Sequence, residues 1–278
     1  MLLITFLVVS LGVNIYLWNQ NQTTAEKNAQ AAIGQDMVSQ LMHTQNNINR
    51  ELAKLNDALM ATCTHLKNTG LTGPQADALL SQLVENNSLI VNAAISNKNN
   101  ILVAVQPNSY GNIIGGDISS QEHTVQMQQT MRPAISNMIK LVEGFPGVVM
   151  IVPIFDSQDK FMGALSIVIQ PSMLINQSIV PNPDDEVYSM WAMQKNGTLI
   201  YDPDPAQQGK NLLTDPSYED YPEVQDFTRQ VAAQQSGYGT YSYYDDLAQG
   251  RPLVSKDAYW TTIGIYNTEW RLVIARTL

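Results

Sequence analysis

Charge is scarce in this chain. Of 278 residues only 14% are Asp, Glu, Lys or Arg, against a usual ~25%. Fifteen basic residues face 25 acidic ones, for a net charge of −10. So few cations cannot build the basic patch that neutralises a phosphate backbone, which argues against nucleic-acid binding. Cysteine is nearly absent: Cys63 stands alone, so there is no internal disulfide framework and no Cys-rich zinc site. His43, His65 and His123 are the only histidines and are scattered, so no metal site is expected. Nucleophile elbow, HExxH, Walker loop and dinucleotide fingerprint are all missing. Asp202 and Asp204 are split by Pro203, with no glycosidase-like surroundings. The chain therefore does not read as an enzyme, and no cofactor is expected.

Amides take the place of charge. The chain holds 47 Asn and Gln residues, more than its 40 charged ones. A polar but weakly charged surface suits a secreted or cell-surface protein. Hydrophobic residues make up 44%, enough for real cores, and the length fits two ordinary domains or one large one.

Leu2 to Trp18 is almost wholly apolar. As a helix it spans ~26 Å, the lower limit for crossing a bilayer. Tyr16 and Trp18 lie at one end, where interfacial aromatics belong. Residues 1–18 are thus expected to be a transmembrane anchor, with the bulk of the chain extracytoplasmic. No Lys or Arg precedes the segment, so it lacks a basic n-region.

From Gln20 to Lys67 there is no proline and one glycine, Gly34. Apolar residues recur at Ile33, Met37, Leu41, Ile48, Leu52, Leu55, Leu59 and Leu66. Spacings of three, four and seven mark one face of a long helix. Such a helix is ~70 Å long, enough to run along two stacked domains. An independent coiled coil is the alternative, but the heptads are irregular. Gly70, Gly73 and Pro74 end the helix, and residues 75–85 predict a short second one.

Strand signals follow. Ser88–Ser96 and Ile101–Val105 pair around an Asn-rich turn, and Val148–Phe155 pairs with Phe161–Gln170. Residues 121–131 and 172–179 predict short helices. Pro181–Asp185 is the best linker candidate. The pattern then recurs: a hairpin around Lys195-Asn196-Gly197, an acidic loop leading into a helix that ends near Gln235, and strands over 237–244, 258–266 and 271–276. The expected divisions are 1–18, 19–85, 86–180 and 181–278.

Arg132 to Ile169 resembles the membrane-distal half of a double Cache domain. The pieces are Pro133 with Ser136, Gly144 and Gly147, the strand Val148–Pro153 leading to Asp156, and Gly163–Ile169. Asn196-Gly197, Tyr201-Asp202 and Gly209-Lys210-Asn211-Leu212 resemble the hairpin and turn of the membrane-proximal half. The last residues, Tyr259 to Arg276, resemble its closing hairpin. The resemblance implies an α+β fold: an N-terminal transmembrane helix, a long amphipathic helix and two tandem PAS-like antiparallel sheets. It also implies an extracytoplasmic sensor that takes a small polar or anionic ligand in its distal module, with self-association through the long helix. The amino-acid-binding subset carries an Arg-Trp-Tyr run followed by Tyr-x-Asp, whereas this chain has Gln129-Thr130-Met131-Arg132-Pro133.

On that resemblance, five residues are the candidate ligand contacts. Arg132 would clamp a carboxylate, and Tyr110 would lie over the pocket as a lid. Ser136 and Asn137 would line it, and Asp117 would meet a ligand amine. Asp156 reads as a turn former. Ten carboxylates lie between Asp184 and Asp226. They make no compact calcium loop and read as a solvated acidic face. Tyr238, Tyr241, Tyr243 and Tyr244 read as strand packing. A second class of function, a pilin-like filament subunit assembled through the N-terminal helix, also fits an apolar N-terminus that runs into a long helix.

Overall fold

A computed structural model describes residues 2–141, 144–179, 188–245, 249–266 and 268–278, with side chains from residue 23 onward. The chain divides into a unit of residues 1–40 and a unit of residues 41–278. The first is helical throughout its described length. The expected anchor, residues 1–18, lies outside the residues whose side chains are described, as does the expected linker at 181–185. Among the described residues no helix is long and apolar enough to cross a membrane.

Helix α1 runs Leu2–Thr69. Within the second unit the expected face is buried: Leu41, Ile48, Leu52, Leu55, Leu59 and Leu66 are all inside. Gly70 ends the helix in a left-handed conformation, φ 88°, its N–H bonded to Leu66 O at 3.0 Å. Helix α2, Pro74–Glu85, starts on a proline, whose fixed φ suits a first turn.

The first sheet holds β1 (Ile90–Asn97), β2 (Leu102–Gln106), β3 (Ala134–Ile135), β4 (Ile139–Lys140), β5 (Pro146–Phe155) and β6 (Phe161–Ile169). Its order is β2-β1-β6-β5-β3, with β4 also on β5. Helix α3 (Glu122–Thr130) comes between β2 and β3, and α4 (Pro171–Ser178) follows β6. The second sheet holds β7 (Ser189–Gln194), β8 (Leu199–Tyr201), β9 (Gly237–Tyr244), β10 (Leu253–Ile263) and β11 (Trp270–Thr277), in the order β8-β7-β11-β10-β9. Helix α5 (Pro222–Ala233) comes between β8 and β9.

All pairings in both sheets are antiparallel. With β4 set aside, the strand order is the same: the second strand of each module at one edge, the first and last central, the third at the other edge. Two copies of one topology follow each other without a repeat in sequence. The result is an α+β fold with a long N-terminal helix and two antiparallel sheets, consistent with the double Cache expectation.

One strand starts earlier than expected. β10 was expected at 258–266 but spans Leu253–Ile263. Lys256 and Asp257 interrupt the apolar alternation that marks a strand. Asp257 lies opposite Arg276 in the register, and the two form a buried bidentate pair at 2.8 and 3.1 Å. An ion pair hidden between strands reads in sequence as a polar break.

The helix meets both modules through amides. Asn47 Nδ2 donates to Ser178 O at the end of α4, at 3.0 Å. Gln45 Nε2 donates to Thr262 O at 2.7 Å and to Thr261 Oγ1 at 3.0 Å. Gly264 N–H donates to Asn49 Oδ1, and Tyr266 Oη donates to Asn56 Oδ1. An amide both donates and accepts without a charge to desolvate. That is one use of the Asn- and Gln-rich composition.

Candidate functional site

The first module's candidates lie around the sheet face that α3 covers. That face is closed by Ala94, Leu102, Val105, Ile118, Met127, Ala134, Ile151 and Ala164, with Tyr110 and Phe161 packed against them. Tyr110 sits in a 3₁₀ turn, Asn108–Ile113, at the edge of this cluster. Ser136 is buried, and its hydroxyl is committed to the main chain. It donates to Asn137 O at 2.6 Å and accepts from Val149 N–H at 2.9 Å. Asn137 is exposed and points away from the core: Nδ2 donates to Glu122 Oε2 at 2.9 Å and Oδ1 accepts from Gln194 Nε2 at 3.1 Å.

Asp117 is exposed and accepts from Ser119 N–H at 2.8 Å, and hydrogen bonds from Ser119 hold its carboxyl below the usual range. Arg132 is exposed just after Met131, which turns the chain at φ 51°, and forms no ion pair among the described residues. The structure therefore places Ser136 and Asn137 side by side, each already bonded to protein. Tyr110 lies on the covered face, and Arg132 and Asp117 are at the surface.

The second module offers what the sequence reading passed over. A cavity of about 550 Å³ opens at the sheet face that α5 covers. Its walls are aromatic. Phe227 of α5 stacks on Tyr241 of β9 with centroids 4.7 Å apart, and Trp191 of β7 meets Phe227 edge-on at 6.3 Å. Tyr243 continues the row, 6.3 Å from Tyr241. Alternation along β9 puts Gly239, Tyr241 and Tyr243 on one face. A Cβ at Gly239 would sit 3.1 Å from the Phe227 ring, so glycine there lets α5 lie close.

Loop residues supply the polar groups. Asp202 follows β8 and accepts from Asp204 N–H at 2.9 Å, while Asp204 accepts from Ala206 N–H at 3.0 Å as the cap of the 3₁₀ turn Pro205–Gln207. Asp215 caps the next turn, Pro216–Tyr218, in the same way. Three of the ten carboxylates of the expected acidic face, Asp202, Asp204 and Asp215, are thus turn formers, and residues 184–186 lie outside the described residues. Asp202 differs: burial raises its carboxyl above the usual range.

Opposite stands Lys256 of β10. Its ammonium makes one long bond, 3.5 Å to Ser189 Oγ, and lies 6.0 Å over the Tyr243 ring. Burial lowers its pKa, against a pull upward from Asp202 and Asp245. Burial, with the neighbouring Asp202, Asp215 and Asp204 charges, pushes Tyr218 to about 12, so it stays a neutral donor. Its hydroxyl donates to Gln207 Oε1 at 2.8 Å.

Residues 50–171 match the family described as "HK/GC/Chemotaxis protein-like, sensor domain". No curated protein matches the chain. Among solved structures it is similar to an extracellular ligand binding receptor from Desulfohalobium retbaense DSM5692: TM-score 0.73, 28% identity, covering 87% of this chain and 40% of that one. It is also similar to the ligand-binding domain of the Pseudomonas fluorescens chemoreceptor CtaA in complex with L-serine: TM-score 0.65, 12% identity, 89% and 98% covered. The Pseudomonas aeruginosa PAO1 amino acid chemoreceptor PctB, in complex with L-Gln, gives TM-score 0.61, 12% identity, 86% and 89% covered. The chain spans about 40% of the length of the Desulfohalobium receptor. The filament-subunit alternative gains no support from these comparisons, and the matched family is a sensor family rather than a catalytic one. The double Cache resemblance is borne out: residues 50–171 match a sensor-domain family, and the fold is that of solved Cache-type extracellular ligand-binding domains.

Proposed function

We propose that the chain is the extracytoplasmic part of a membrane-anchored sensor, which captures a small polar or anionic molecule in its first sheet module. Residues 1–18 would hold it to the membrane, and α1 would pass the ligand's effect along and pair with a second copy. The observation that carries this reading is the sensor-domain match: its span, 50–171, is the later part of α1 together with the whole first sheet. Arg132 and Tyr110 remain the first-module candidates. The Arg132 guanidinium is free of ion pairs among the described residues, and its planar fork suits a carboxylate. Ser136 and Asn137 would act by shaping the loop, since their side chains are engaged. Asp117 would meet an amine only at the rim.

L-Serine and L-Gln in the CtaA and PctB complexes make amino acids the first class to try. The departure at Gln129–Pro133 extends the panel to carboxylates, amines and purines. The test is a thermal shift of the full chain. A ligand at 100 times its dissociation constant adds about 2.7 kcal/mol, several degrees for a domain of this size. A hit that disappears in a folded Arg132→Ala variant supports the clamp, and unchanged affinity rejects it.

A further inference from the structure

We propose that the second module has a binding site of its own, the cavity between α5, β9 and the Asp202 loop, which takes a small zwitterion with an amine and an acidic group. Three observations converge on this. The first is space. About 550 Å³ stands open at the sheet face that α5 covers, and ligand sites fall in the range of ~300–1,000 Å³.

The second is opposite charge on its walls, which carry Asp202, Asp204, Lys210, Asp245 and Lys256. Asp202 and Lys256 both line the cavity, and each feels the other's charge. Yet they form no ion pair, and Lys256 has no carboxylate within ion-pair distance among the described residues. Half-buried opposite charges that come near without meeting are costly to the apo protein. Closing them onto each other, or replacing both with apolar groups, would cost less. A ligand that puts an amine against Asp202 and an acid against Lys256 satisfies both. A plain cation would leave Lys256 unanswered, and a plain anion would leave Asp202 unanswered.

The third is the aromatic row. Phe227 and Tyr241 are buried and stacked on each other, and with Tyr243 and Trp191 they floor the cavity with apolar surface beside Asp202. Tyr241 has its hydroxyl pKa raised by burial, so its ring stays neutral. The apolar walls would enclose the short carbon chain between the two charged ends.

The test is calorimetric titration of the full chain with β-alanine, γ-aminobutyrate and taurine, and with butylamine and butyrate as single-charge controls. At least one zwitterion is expected to bind about tenfold or more tighter than both controls, the usual weight of a charge-assisted hydrogen bond. Asp202→Asn and Lys256→Met are each expected to weaken it about tenfold or more. Lys256→Met should also narrow the gap to butylamine. Both variants should keep a single cooperative melting transition at pH 7, which keeps the test independent of folding failure. The losses caused by Asp202→Asn and Lys256→Met should persist in an Arg132→Ala background, which separates this site from the first module's. The proposal is overturned if no zwitterion binds, if a control binds as tightly, if neither cavity variant changes affinity, or if Arg132→Ala abolishes the signal.

Discussion

His123 lies on α3 with 3% of its surface exposed, and burial pushes its imidazole down to about 4 despite the adjacent Glu122. A folded-state pKa below the unfolded 6.5 means that the unfolded chain takes up the proton first. The contribution is therefore complete above about 6.5 and is lost as pH falls toward about 4, worth roughly 3 kcal/mol at 1.36 kcal/mol per unit. Asp202, with its raised pKa, acts in the opposite sense: its protonation on acidification relieves a buried charge. Urea unfolding at pH 7 and pH 4.5, in the parent and in His123→Gln, isolates the histidine. The parent should lose stability across that interval by more than the variant, and parallel losses would refute the assignment. Neither burial was legible in sequence. His123 was one of three scattered histidines, and Asp202 was one carboxylate in an acidic run. The Tyr241 and Tyr243 stripe was legible as strand packing. That it borders open space depends on how far α5 stands off the sheet, which no local pattern encodes.

At the scale of elements, α5 shows what fixes the cavity wall. Its last carbonyls would lack partners at a buried end. Arg271 of β11, 1% exposed, supplies them: Nε donates to Gln234 O at 2.8 Å and to Val231 O at 3.1 Å. Its other nitrogens reach Thr262 Oγ1 at 3.0 Å and Glu269 Oε2 at 3.2 Å. Trp260 Nε1 adds a bond to Gln234 O, and the Trp260 ring lies flat against Gly237, where any Cβ would stand 2.3 Å from it. The guanidinium thus neutralises the negative end of α5 from the sheet face that the helix covers. Arg271→Met should cost about 3 kcal/mol or more in urea unfolding, because buried carbonyls and Glu269 lose a charged partner. Arg271→Lys should not restore it, since an ammonium cannot span the same fork. Full rescue by lysine would show that charge alone matters. Most element positions followed from periodicity and from glycine and proline punctuation, as at α1, α2 and the Asn196-Gly197 hairpin. The start of β10 did not, because its polar residues are paired across strands. Strand order was beyond reach of local pattern, since edge and centre are decided by partners far along the chain.

At the scale of the molecule, two modules that act together, as in the sensor proposed above, must be mechanically joined, and the joint here is made of amides. Gln194, at the end of β7 and 4% exposed, donates from Nε2 to Asn137 Oδ1 at 3.1 Å and accepts at Oε1 from Met138 N–H at 3.2 Å. Tyr201 Oη adds a longer bond to Asn176 Oδ1, 3.4 Å, from β8 to α4. Asn137, expected as a ligand contact, is placed at this joint instead of inside the first module. A ligand that tilts the β3–β4 segment would act on Gln194 directly, and Gln194 leads through the hairpin to the Asp202 loop. Removing the joint should therefore loosen the modules from each other. Gln194→Ala should cost about 1–3 kcal/mol, the range for stranding buried hydrogen-bonding partners. In scanning calorimetry the parent should melt as one transition. The variant should show a van't Hoff enthalpy below its calorimetric enthalpy, the sign that two parts unfold separately. If the variant's peak keeps its sharpness, the modules are held together by α1, whose Gln45 and Asn49 bond the second module while Asn47 bonds the first. Adding Asn47→Ala to the variant would then be the change that splits the peak.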